Sequence, residues 1–191
     1  MLFRSYWMSP ALAGDIQYRN AATALAAYEA LPGSPPLTHE WIAQALEGAR
    51  LAGRFQVISR PGSIEWILDV AHNEPAARVL AENLRARPAS ARTRAVCSIL
   101  RDKDVEAIGR ELETLFDEWI VCGVPGPRGS TAAELAARLA ATVKAPLLAD
   151  AVSEGCEIAR SRARPGDRIV VFGSFAAVGS ALQWLGYTDD P

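Results

Sequence analysis

The chain has 191 residues, a net charge of −2, and a composition that is 50% hydrophobic and 22% charged. That profile belongs to a folded globular protein with one core of ordinary size, and it excludes the disordered, fibrous and strongly basic nucleic-acid-binding classes. Cys97, Cys122 and Cys156 stand far apart with no CxxC spacing, which predicts reduced, buried thiols in a cytoplasm and neither a disulfide framework nor a zinc site.

The opening MLFRSYW carries one arginine and neither a long apolar run nor a small-residue cleavage site, so no signal peptide is read there. NAATALAAYEAL (20–31) predicts an alanine-rich helix, PGSPPLT (32–38) a break, and HEWIAQALEGA (39–49) a second helix capped by Thr38. Two helices bury no core alone. Residues 1–50 are therefore expected to be a helical appendage, and residues 51–191 a separate α/β domain.

In that second part RFQVIS (54–59) and IEWILD (64–69) flank the turn signal RPG and predict a β-hairpin. Pro75 to Ala86 follows as a helix with Ala76, Val79, Leu80 and Leu84 on one face, then RAVCSIL (94–100) as a strand. Asp104 to Phe116 predicts a helix facing inward with Val105, Ile108, Leu112 and Leu115, and EWIVC (118–122) the next strand. Thr131 and Glu134 form a capping box that opens a helix to about Val143. PLLA (146–149), a helix from Val152 to Ser161, RIVVF (168–172) and a helix ended by Gly186 complete the series. The uncharged run 169–188 has the length of a membrane span, but its glycines, serines and glutamine divide it into strand, turn and helix, so no membrane contact is expected. Strands alternating with helices imply a doubly wound, mainly parallel sheet.

Such sheets bind ligands in the loops at the carboxyl ends of their strands. Four loops here carry chemistry: ILDVAHN presents Asp69, His72 and Asn73; RDKD presents Lys103; GVPGPRGS presents Arg128 as a clamp for a carboxylate; FGSF presents Ser174 behind Gly173, which lets a ligand approach the backbone. Each has a plainer reading. A lone Asp or Asn before a helix is usually a cap, DKD a solvated helix start, GPRG a turn and FGSF a tight βα connection. Their common position, and no single loop, marks the rim as a ligand site.

No GxxxxGK[ST] loop is present, nor a GxGxxG after the first strand, nor a GxSxG elbow. With two histidines and three cysteines no metal site is expected in this chain.

NAATALAA (20–27), GRFQVIS (53–59), ILDVAHN (67–73), DKD (102–104), GPRGS (126–130) and VVFGSF (170–175), in this order, resemble bacterial folylpolyglutamate synthase/dihydrofolate synthase, of the Mur ligase superfamily. The resemblance runs from about Leu12 to the end and is carried most specifically by GRFQ followed closely by DVAHN. It implies a Rossmann-like Mur ligase C-terminal domain preceded by the end of a central ATPase domain. It also implies a cytoplasmic ATP- and Mg2+-dependent amide ligase that activates the carboxylate of dihydropteroate or a reduced folate as an acyl phosphate for attack by L-glutamate.

By the resemblance Asn20, Arg54 and Asp69 contact ATP, and His72 and Ser174 meet the incoming glutamate; Asn73, Lys103 and Arg128 remain candidate cleft residues without a family role. The chain departs from the usual HNPHAA, reading HNEPAA, so that Glu74 brings a negative charge beside His72. The family's P-loop domain, with the magnesium ligands and most of the folate site, has no counterpart in these residues, so this polypeptide alone is expected to be inactive. A partial copy of the ligase, one half of a split ligase whose partner is a P-loop ATPase chain, and a non-enzymatic nucleotide- or amino-acid-binding module are the alternatives.

Overall fold

The computed structural model describes residues 10–59 and 63–187, so MLFRSYW and the RPG turn lie outside the described residues. The chain divides into two compact units, Met1–Leu51 and Ala52–Pro191.

In the first unit α1 (Ile16–Glu29) and α2 (His39–Gly48) bury no residue, and Ala11 donates its N–H to Leu46 O at 2.9 Å. Thr38 caps α2 as its sequence predicts, accepting from the N–H of Trp41. α1 starts at Ile16 and not at Asn20, because Ile-Gln-Tyr-Arg continues the helix in the N-terminal direction with no breaker.

The second unit is built on a six-stranded sheet, with β1 (Gln56–Ile58), β2 (Glu65–Asp69), β3 (Thr93–Cys97), β4 (Glu118–Cys122), β5 (Leu147–Ala149) and β6 (Arg168–Phe172) in the spatial order β1-β2-β6-β3-β4-β5. β1 and β2 form the antiparallel hairpin; every other pair is parallel. The connecting helices are α3 (Glu74–Ala86), α4 (Val105–Leu112), α5 (Ala132–Leu139), α6 (Val152–Arg162) and α7 (Phe175–Trp184).

Side-chain alternation along each strand feeds two cores. Ile67, Ala95, Cys97, Trp119, Val121, Val170 and Phe172 point to one face, where α3, α4 and α5 pack. Trp66, Leu68, Val96, Ile120, Cys122, Ile169 and Val171 point to the other, against α6 and α7. On the first face Phe116 stacks on Phe172 at 5.8 Å and meets Trp119 edge-on at 5.1 Å.

Three expected details differ. The buried stripe of α3 is Ala77, Leu80, Ala81 and Leu84, with Ala76 and Val79 at its margin. The segment after Asp104 stops being α-helical at Leu112 and tightens into a 3-10 turn, Glu113–Leu115, which lets Phe116 turn into the core. α5 ends at Leu139, four residues short of Val143, since Pro146 disfavours helix before it and Ala145 takes a φ of 47°. The uncharged run beginning at Ile169 is β6 and α7, and no helix among the described residues is long and apolar enough to cross a membrane.

Candidate functional site

β6 lies between β2 and β3, yet the loop leaving it runs to α7 on one face while those leaving β2 and β3 run to α3 and α4 on the other. The chain therefore diverges on both sides of the carboxyl end of β6, which is where a crevice opens in a doubly wound sheet. The register sets Asp69, Phe172 and Cys97 level across the three strands. Val70 to Asn73, Gly173 with Ser174, and Ser98 onward are thus the first residues past one common edge.

Around β2 the site is held by Asp69. Its Oδ2 accepts the N–H of Phe55 and its Oδ1 the N–H of Ala71, both at 2.8 Å. Burial pushes this carboxyl above its ordinary value, against the two backbone donors and the nearby Arg54 and His72. The Phe55 bond fixes an unusual segment. Gly53 and Phe55 both have positive φ, 67° and 47°, and both are buried. A Cβ on Gly53 would stand 2.8 Å from a methyl of Val178. Between these two residues Arg54 projects outward, exposed, with its guanidinium 5.4 Å from the ring centroid of Phe175. Phe175 is itself 64% exposed.

His72 is half-buried, and its Nδ1 lies 2.9 Å from the carbonyl oxygen of Val70. A carbonyl only accepts, so Nδ1 carries a proton and Nε2 is the ring nitrogen left for another partner. Asn73 caps α3, accepting from Ala76 N–H at 2.9 Å, and Glu74 is drawn along the helix into an ion pair with Arg78 at 2.6 Å. Ser174 is buried and caps α7, its Oγ accepting from Ala177 N–H at 3.0 Å. This leaves the hydroxyl proton free to be donated.

Gly173 has a φ of +115°, and a Cβ there would stand 2.6 Å from Ser98 O. The close approach expected at this glycine is thus made by the neighbouring βα loop. Lys103 and Arg128 are brought together by a residue the sequence analysis did not single out: Asp102 lies 2.6 Å from Arg128 and 3.7 Å from Lys103. Arg128 is thereby occupied within the protein. Asn20 lies in the other unit, exposed in the second turn of α1, donating to Gln17 Oε1 at 3.0 Å. No group of three or more His, Cys, Asp or Glu is gathered among the described residues to hold a metal ion.

The Mur ligase, glutamate ligase domain model matches residues 53–175, which takes in every element from β1 to the start of α7. This chain belongs to that family. Among curated proteins the domain is similar to dihydrofolate synthase/folylpolyglutamate synthase of Escherichia coli, 34% identical over 164 residues, covering 86% of this chain and 37% of that protein. Among solved structures it is similar to a bifunctional folylpolyglutamate synthase/dihydrofolate synthase with Mn, AMPPNP and L-glutamate bound, at TM-score 0.79 and 33% identity over 93% of this chain and 41% of the other. It is also similar to Mycobacterium tuberculosis folylpolyglutamate synthase complexed with ADP and AMPPCP, at TM-score 0.83 and 27% identity over 96% and 42%. The chain therefore spans about two fifths of the length of the relatives it matches.

Proposed function

We propose that this chain is the C-terminal part of an ATP-dependent ligase that joins L-glutamate to dihydropteroate or a reduced folate. The observation that carries the reading is the diverging edge at β6, where Asp69 stands level with Phe172 and His72 and Ser174 follow just past that edge, near a projecting Arg54, in a domain whose relatives have been solved with nucleotide and with L-glutamate.

In the proposed reaction the folate carboxylate attacks the γ-phosphorus of ATP, ADP leaves, and the glutamate amine displaces phosphate from the acyl phosphate to form the amide. Bringing two anions together needs fixed positive charge at low water content. Arg54 supplies a guanidinium that strained backbone aims outward and Phe175 backs. Asp69 has both oxygens engaged by backbone N–H groups, so its remaining lone pairs alone are open to a ribose hydroxyl or the base. His72 through its Nε2 side and Ser174 through its hydroxyl proton are the partners for the carboxylates of glutamate. Asn20 would reach the adenine edge. Asn73 and Arg128 are occupied as a cap and an ion-pair partner, and Lys103 is the freer cation of the β3–α4 loop.

Among the described residues no carboxylate cage forms that would hold magnesium, and the 191 residues contain no P-loop. The reading therefore makes this chain inactive on its own and dependent on a P-loop ATPase unit, in the same polypeptide or as a separate chain. Three buried free thiols suit a cytoplasmic location.

The test is to incubate the purified chain with ATP, magnesium, L-glutamate and either dihydropteroate or tetrahydrofolate, and to look by mass spectrometry for ADP and a glutamylated product. No turnover alone, with turnover on adding a P-loop ATPase domain of a relative, is expected. Turnover by the chain alone after stringent purification would overturn the need for that domain. Failure of both would favour a non-enzymatic nucleotide- or amino-acid-binding module.

A further inference from the structure

The amino edge of the sheet, opposite the rim that carries Asp69 and Ser174, is a second concentration of charge. Arg94 at the start of β3 is 4% exposed and each of its three guanidinium nitrogens is engaged: Nη1 donates to Asp167 at 2.7 Å, Nε to Glu118 at 3.1 Å, and Nη2 to the carbonyl of Arg162 at 2.9 Å. Arg162 in turn donates from Nε to Glu118 at 2.8 Å. Beside this network a cavity of about 450 Å³ opens, lined by Arg92, Arg94, Arg162, Arg164, Pro165 and Asp167.

Two of these arginines are uncommitted. Among the described residues the guanidinium groups of Arg92 and Arg164 make no ion pair or hydrogen bond; only their backbones are engaged, Arg92 O accepting from Arg168 N–H at 2.8 Å and Arg164 N–H donating to Asp167 at 3.0 Å. Four guanidinium groups thus face two carboxylates, Asp167 and Glu118, an excess of two positive charges. In an adjoining cavity the charges of Arg87 and Arg168 are met by Glu65 and Asp167, so the excess of positive charge is confined to the first. The carbonyl at the end of α6 that would repel an anion, Arg162 O, is already covered by Arg94.

We propose that this cavity binds a dianionic phosphate group, as free phosphate or as a phosphomonoester, with Arg92 and Arg164 as its two ligating side chains over the floor made by Arg94 and Asp167. Planar guanidinium forks match phosphate oxygens two at a time, and two of them balance the charge of one dianion. The cavity is larger than phosphate needs, which leaves room for the organic part of an ester. The site is separate from the rim at the carboxyl ends of the strands and stands whether or not the ligase reading holds.

The experiment is calorimetric titration of the full chain with inorganic phosphate and, separately, with glycerol phosphate, at constant ionic strength set with chloride. Saturable one-to-one binding is expected, weakened about tenfold by Arg92→Ala and about a hundredfold by Arg92→Ala with Arg164→Ala. Arg110→Ala, which removes an exposed side chain of α4 that does not line the cavity, leaves it unchanged. Both cavity side chains lack partners, so the double variant keeps its fold, checked by an unchanged urea midpoint; Arg92→Lys with Arg164→Lys keeps the charge and still loses affinity if the forks matter. Tighter glycerol phosphate names an ester as the occupant, and tighter inorganic phosphate names the free ion. Heat indistinguishable from chloride, or a double alanine variant that binds as the parent does, would overturn the proposal.

Discussion

Asp69 and Arg54 sit close in the chain and do different work. The Asp69 carboxylate is the acceptor for Phe55 and Ala71, whose N–H groups belong to residues 5% and 0% exposed. Removing it strands two buried donors and releases the left-handed Phe55, so Asp69→Ala is expected to cost roughly 2–4 kcal/mol in chemical denaturation. Arg54 is exposed, resting on the Phe175 ring and acting on Asp69 through its charge alone, so Arg54→Ala should move that midpoint by no more than about 0.5 kcal/mol. In an assembly competent for nucleotide, the same Arg54→Ala should weaken ATP affinity. If Arg54→Ala leaves ATP affinity unchanged, its assigned role fails; if Asp69→Ala unfolds no more easily than the parent, the carboxylate is not the clamp described.

Among the elements, α1 and α2 contribute no buried residue while the sheet closes both of its cores with side chains from Phe55 onward. Deleting residues 1–50 should therefore leave a cooperative two-state transition with near-native circular dichroism, and its loss on deletion would mean that the two units fold as one. The strands were legible in the sequence because a parallel strand buried on both faces reads as an uninterrupted apolar run, as RIVVF and EWIVC do. Caps at Thr38 and Thr131 were legible because they act within three residues. The end of α5 was not, since Ala-Ala-Thr-Val-Lys continues the helical pattern and is stopped by the approach to Pro146. The rim residues were found by position, but that Asp69 holds Phe55 across 14 residues, or that Asp102 gathers Lys103 and Arg128, depends on pairings that no local pattern encodes. The amino-edge network was missed for the same reason at longer range: Arg94 and Asp167 are 73 residues apart and read separately as ordinary surface charges.

For the molecule as a whole, that network sets the response to acid. Burial raises the Glu65 carboxyl, but hydrogen bonds from Arg87 and Arg168 outweigh it and hold the group below the ordinary 4.5. Glu118 is held below 4.5 first by Arg162 and then by Arg94. Asp167 is raised by burial, yet the Arg164 N–H and the Arg94 guanidinium keep it below 3.8. A carboxyl whose folded pKa is depressed adds stability that is fully present above its unfolded value and is lost as pH falls through the folded value. Asp69, raised on folding, has the opposite sign: its contribution is complete below 3.8 and is lost as pH rises through its folded value. The exposed Glu40, Asp102 and Glu134 and the half-buried Glu106 are held low as well, so among the described carboxyls only Asp69 opposes acid destabilisation, and the urea midpoint should hold between about pH 7 and 5 and fall below about pH 4. Replacing Glu118 with Gln removes one of the partly buried titrating groups and, with Arg94 left short of a charged partner, should lower the midpoint at neutral pH while flattening its fall in acid. A parent midpoint unchanged down to about pH 3 would mean that these arginines do not hold the carboxyls ionised. An acid slope that Glu118→Gln leaves untouched would place the sensitive groups elsewhere in the chain.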